Sequence, residues 1–155
     1  MAAEKNPPAE SPAGREIVTR RVMAATPARL FEAFRDPDRL EQWWGPKDFT
    51  CTIHQFDLRP GGKWQLTLHG PDGTDYRNEK VFVTVEAGKR IVFRHLDPTH
   101  AFEMTIAFTP QGAGTLVYWR LLFDSAAECA RIRDIVVEAN EQNLDRLEAH
   151  LITVP

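Results

Sequence analysis

Apolar and polar positions change period several times along the chain, and each change marks an element. From Arg15 the run REIVTRRVMA alternates and is rich in β-branched residues, the period-two signature of a half-buried strand. It ends at Ala24-Ala25-Thr26-Pro27. Thr26 is a favourable N-cap and Pro27 a favourable first helical residue; Leu30, Phe31 and Phe34 then recur at helical spacing, which predicts a short amphipathic helix to about Arg35. Asp36-Pro37 repeats the start signal for a second short helix through Leu40 to Trp43 or Trp44. Gly45-Pro46 stops it.

Strand-like runs divided by turn chemistry follow: FTCTIHQFDL, KWQLTLHG, YRNEKVFVTVEA, RIVFRHLD, AFEMTIAFTP and GTLVYWRLLFD. Their links are short, which predicts an antiparallel meander. The last element is the longest, a helix capped by Asp124 or Ser125 and running to about Leu151. At 100° per residue, Cys129, Ile132, Val136, Asn140, Asn143, Leu144, Leu147 and Leu151 share one stripe. Two asparagines interrupt an otherwise apolar face.

This order of elements predicts an α+β helix-grip fold. A curved, seven-stranded antiparallel sheet wraps around the long C-terminal helix, and the two short helices after strand 1 close one end of the cup. A sheet curving around a single helix leaves a concavity, so a pocket is expected between the two. The single domain spans 15–152. Residues 1–14, MAAEKNPPAESPAG, have three prolines and no large apolar side chain after Met1, and are expected to form a disordered tail.

The same segments carry a family resemblance. RLFEAFRDPDRLEQWWGP, FDLRPGGKW, GPDG, KRIVF and NLDRLEAHL, in this order between Arg29 and Leu151, resemble the SRPBCC superfamily. They look most like the branch related to the C-terminal domain of the Aha-type activator of heat-shock protein 90 ATPase. The resemblance implies the helix-grip, birch-pollen-allergen-like fold. It implies no single activity, because the superfamily includes lipid carriers, hormone receptors and polyketide cyclases. The co-chaperone has a further N-terminal domain, for which a fourteen-residue tail is no substitute, so chaperone activation is not expected. Many relatives carry a glycine in the strand after the hairpin where this chain has Asn78-Glu79, so strand position and pocket shape are expected to differ there.

Composition removes several alternatives. A net charge of −3 and a pI near 5.9 provide no basic stripe for nucleic acid. The sequence has no signal segment and no apolar run long enough to insert in a membrane, which predicts a cytoplasmic protein. Cys51 and Cys129 are far apart and form no CxxC, and are expected to be buried free thiols. A homodimer is compatible with the pattern, although no heptad marks an interface.

The expected function is therefore binding of a small apolar molecule, aromatic or lipid-like, with no cofactor and no metal. The predicted lining is Phe34, Trp43, Phe49, Trp64, Met104, Trp119, Val136, Asn140, Asn143 and Leu147. Adjacent helical residues point about 100° apart, so only one of Trp43 and Trp44 is expected to face fully inward. The other would serve as a lid or a partner contact. Asn140, near the middle of the helix stripe, needs a polar partner. Arg133, near the stripe's other edge, is a weaker candidate of the same sort.

A second expectation is a cyclase- or hydrolase-type enzyme using His95, which alternates with Ile91 and Phe93, or His54 as acid or base. The third is a co-chaperone-like module docking through exposed surface near Trp43 and Trp44. HLDPTH, from His95 to His100, is read as a turn rather than a metal site, because its spacing fits no standard ligand set. Asp57 and Arg59 are expected to pair and fix the turn before Gly61-Gly62.

Overall fold

A computed structural model describes residues 12–153. The expected tail up to residue 11 lies outside them. Pro12–Arg15 form a one-turn helix, α1, and Arg15 Nη1 donates to the Phe123 carbonyl at 2.8 Å, so the chain is structured ahead of the boundary expected at Arg15.

Seven strands follow the turn chemistry closely: β1 (Glu16–Met23), β2 (Thr50–Phe56), β3 (Lys63–His69), β4 (Asp75–Glu86), β5 (Arg90–His95), β6 (Phe102–Gln111) and β7 (Gly114–Phe123). They form one open antiparallel sheet in the order β1-β7-β6-β5-β4-β3-β2. The six later strands are a meander, and β1 joins its far edge beside β7. Register shifts at Ile53/Gln55 and Phe82/Thr84 put an extra residue into β2 and β4, and such bulges bend a strand and increase its twist.

The helices start where their caps require. Thr26 Oγ1 accepts from Arg29 N at the start of α2 (Pro27–Arg35), and Asp36 accepts from Asp38 N at the start of α3 (Pro37–Trp43). Ser125 Oγ accepts from Glu128 N, settling the N-cap of α4 (Ala126–Thr153). Asp57 and Arg59 pair at 2.7 Å in the turn before β3. A Cβ on Gly62 would lie 1.9 Å from the Asp57 carbonyl oxygen, so only glycine fits that approach.

The core lies between the inner face of the sheet and α2, α3 and the C-terminal half of α4. Trp44 is its hub, with ring centroids 4.9 Å from Trp64, 5.7 Å from Trp43 and 5.7 Å from Trp119. Phe34 meets Trp43 edge-on at 4.7 Å. All four tryptophans therefore pack into one end of the cup.

Candidate binding site

Beyond that aromatic end, α4 and the sheet part and leave two adjoining chambers. The outer one, about 570 Å³, is walled by Phe49, Leu68, Phe102, Leu121, Ile132 and Val136 and edged by the exposed Tyr76, Arg131 and Ile135. The inner one, about 140 Å³, is walled by Trp44, Phe93, Met104 and Trp119. Pro46, Leu68, Asn78, Phe102, Leu121, Ala139 and Asn140 line both. The walls are mainly apolar, with a few convergent polar groups, as in typical small-molecule sites.

The least expected of those groups is Lys80. Strand alternation puts it on the inner face of β4 with Phe82, and only 3% of its surface is exposed. Its ammonium lies 5.3 Å from the Trp64 ring centroid and 5.5 Å from that of Phe93. Nζ donates to Asn78 Oδ1 at 2.9 Å and lies 3.2 Å from His95 Nδ1. Both partners are neutral, and among the described residues no carboxylate forms an ion pair with Lys80. Burial without a counter-charge pushes its pKa down to about 7, with Cys51 acting the other way. Burial, and then the neighbouring Lys80 and His100, push His95 down to about 3. His95 is therefore a neutral imidazole at physiological pH, able to accept at Nδ1 from the amine.

At the mouth, His95 stacks on Phe102 at 4.7 Å and on His100 at 5.6 Å, the two imidazole planes being 14° apart. One ligand-capable atom from each of His95, Asp97 and His100 falls within 4.8 Å of the others. Two nearly parallel stacked rings do not aim in-plane lone pairs at one ion, and Asp97 Oδ1 already accepts from Thr99 N at 2.7 Å and His100 N at 3.1 Å. This is the geometry of an aspartate-stabilised turn.

Of the residues expected to line the pocket, Phe49, Met104, Trp119, Val136, Asn140 and Asn143 do so. Asn140 Nδ2 donates to Thr19 Oγ1 at 3.3 Å, which gives the helix stripe its polar partner while the residue still edges both chambers. Asn143 has a structural task as well: its amide donates to the Trp43 carbonyl at 2.8 Å and accepts from Gly45 N at 3.2 Å. Arg146, one turn along in the same cluster, donates to the Gln42, Gly45 and Pro46 carbonyls. Gly45, at φ 114°, makes the bend these two residues hold. Arg133 Nη2 donates to the Glu16 carbonyl at 3.1 Å and lines neither chamber.

Four expectations are corrected. Phe34, Trp43, Trp64 and Leu147 face inward but are packed in the solid core and line neither chamber. Strand and helix periodicity identifies the inner face, not the depth at which packing gives way to space. Trp43 sends Nε1 to the Ala33 carbonyl at 3.1 Å, whereas Trp44 lines the inner chamber. The 100° argument fails because Trp44 lies one residue past the helix, at extended φ −72° and ψ 128°, and both rings turn inward. Neither is a lid, and neither offers exposed surface to a partner. His54 bonds Thr67 Oγ1 at 2.8 Å and lines neither chamber. Lys80 is not among the expected lining, and Asn78 enters the expectation only as a departure that alters pocket shape. The alternation with Phe82 points Lys80 inward, but lysine is ordinarily solvated, so the strand pattern alone does not mark it as a wall residue.

The fold and cavity define an α+β helix-grip domain with a partly polar pocket between its long helix and its sheet. Residues 24–151 match the family model described as Activator of Hsp90 ATPase homolog 1-like protein, and the chain belongs to that family. Solved structures share the fold over nearly the whole chain. A protein from Arthrobacter aurescens is 22% identical with a TM-score of 0.84, covering 93% of this chain and 90% of its own. A protein from Nitrosomonas europaea is 20% identical at TM-score 0.81, covering 91% and 96%. One from Rhodobacter sphaeroides is 20% identical at 0.83, covering 92% and 95%. A search of curated proteins finds no match. Among the described residues no helix is long and apolar enough to cross a membrane.

Proposed function

We propose that the protein binds a small, mainly apolar molecule, aromatic or lipid-like, between α4 and the sheet. The observation that carries this reading is the outer chamber of about 570 Å³, apolar along its walls and continuous in lining with an inner chamber that ends on tryptophan. Covering these apolar walls with an apolar ligand removes their surface from water, which is favourable. General acid–base chemistry of the cyclase or hydrolase type calls for a cavity histidine oriented by a carboxylate. His95 lines the cavity, but its Nδ1 partner is an amine. The docking alternative suggested by the family's name lacks the exposed tryptophan surface on which it was to rest.

Titration with N-phenyl-1-naphthylamine tests the proposal. Binding should enhance probe emission, quench Trp44 and Trp119, and raise the melting temperature. Native mass spectrometry of freshly purified protein should reveal a carried-over molecule. If neither this probe nor a panel of lipophilic compounds shifts the melting temperature or the fluorescence, the reading is wrong.

A further inference from the structure

We infer that the cavity captures aldehydes or ketones with an apolar body, Lys80 forming a reversible imine with their carbonyl carbon. The inference rests on the binding proposal and adds a chemical class to it. Its basis is the placement of one primary amine in the lining of the inner chamber, hydrogen-bonded to groups that line the outer one. Nζ reaches Asn78, which lines both, and His95, which lines the outer one, while the rings of Trp64 and Phe93 lie beneath it. A structural lysine so deeply buried normally has a carboxylate partner. Here the hydrogen-bond acceptors are an amide oxygen and an imidazole nitrogen. The groups that bear on its charge are the Cys51 thiol on β2, pushed up to about 12 and so un-ionised near neutral pH, and neutral His95 on β5. Desolvation then keeps a large fraction of the amine unprotonated near pH 7, as a nucleophilic lysine requires.

The step balances with groups already present. The Nζ lone pair forms a C–N bond to the carbonyl carbon, the C=O π pair moves to oxygen, and a proton leaves nitrogen for that oxygen by way of His95 Nδ1. The resulting carbinolamine loses its hydroxyl as water when His95 returns a second nitrogen proton to it, and the nitrogen lone pair closes C=N. One amine and one carbonyl compound give one imine and one water, with no net redox change. His95 is a proton carrier at 3.2 Å from the reacting nitrogen.

The test incubates the protein with 2-naphthaldehyde and sodium cyanoborohydride, which reduces the imine to a stable secondary amine. 2-Naphthalenemethanol, similar in shape and without the carbonyl, reports binding alone. Expected is one adduct, heavier by the aldehyde less one oxygen atom, mapped to Lys80 with a preference of at least about tenfold over the exposed Lys47, Lys63 and Lys89 near pH 7. Lys80→Met should abolish it and His95→Gln should slow it, each read as adduct formed relative to the same variant's own occupancy by the alcohol. Should Lys80→Met fail to fold, the wild-type pH profile still decides. Labelling of Lys80 should reach half its maximum near pH 7.

Alcohol binding without an adduct at Lys80 overturns the imine and leaves the binding proposal standing. Labelling spread over surface lysines and unchanged in Lys80→Met does the same. If 2-naphthoate binds far more tightly than the aldehyde and no adduct forms at Lys80, the amine is an anion anchor and the inference is wrong. Absence of binding by aldehyde and alcohol alike removes both.

Discussion

The two halves of α4 face the same sheet with the same kind of stripe, yet one is sealed and the other stands open. In the C-terminal half Leu144 and Leu147 are fully buried, and Asn143 and Arg146 clamp the Trp43–Pro46 bend to the helix. In the N-terminal half Ile132 and Val136 are only half-buried, and Ile135 is 71% exposed. The difference lies in what faces the helix. Opposite the sealed half, α2 and α3 add a second layer and supply Phe34, Trp43 and Trp44. Opposite the open half, beyond the first turn where α1 meets Ala126 and Cys129 is buried, the helix faces the sheet, whose inner face there presents the amine of Lys80 and the imidazole of His95. Aromatic density and cavity wall thus belong mostly to different ends, and Trp44 and Trp119 are where they meet.

The sharpest way to break the contrast is at its sealed end. Trp43→Ala removes a fully buried ring together with its bond to Ala33 O, and should cost about 4 kcal/mol in denaturant unfolding. A loss below about 1 kcal/mol would mean the sealed end is not the stability core. Asn143→Leu comes next. It leaves the Gly45 N–H without its acceptor and the Trp43 carbonyl without its donor, with an expected loss of about 2 kcal/mol and faster hydrogen exchange at Gly45.

Most of the architecture was legible because each boundary carries local chemistry: Thr26-Pro27, Asp36-Pro37 and Ser125 at helix starts, glycines and Asp97-Pro98 between strands. The site was legible only in part, for reasons of depth and direction. Met104 and Trp64 both sit on inward strand faces, but only the former reaches open space. Which of them does so depends on Trp44 arriving from another element. Because α3 ends at Trp43, the 100° separation does not hold across the pair: both rings turn inward, and Trp44 rather than Trp43 reaches the inner chamber. Lys80 was visible in the alternation of β4. What makes it unusual is the two rings and the imidazole brought to it by β3 and β5, which spacing within β4 does not encode; its other partner, Asn78, lies two residues back on the same strand.

At the open end, pH separates an unpaired buried amine from an ordinary solvated one. The unfolded lysine titrates near 10.5 and the native Lys80 near 7, so between these values the unfolded chain binds the extra proton and stability rises with pH. From about pH 7 to about pH 9 the rise should be about 2 kcal/mol, measured as urea midpoints at constant salt. Above about pH 9 Cys51 opposes it, since the thiol ionises in the unfolded chain before it does in the fold, where its pKa is about 12. Lys80→Met should flatten the rise between pH 7 and 9, and a variant that keeps the wild-type slope would show that some other group carries it.

The smallest effect on stability should accompany a clear effect on binding. Ile135 lies on the open half of α4, mostly in solvent, where its only structural duty is to edge the outer chamber. Ile135→Ser removes apolar rim without opening a core cavity, so unfolding free energy should stay within about 0.5 kcal/mol of wild type. Affinity for N-phenyl-1-naphthylamine should fall by about three- to tenfold, because burying a comparable side chain against a ligand contributes on the order of 1 kcal/mol. The same substitution made at Leu147 would give the reverse pattern, a large stability loss with no specific effect on the probe. If Ile135→Ser leaves probe affinity unchanged, the exposed half of α4 is not the mouth, and entry must lie elsewhere around the inner chamber.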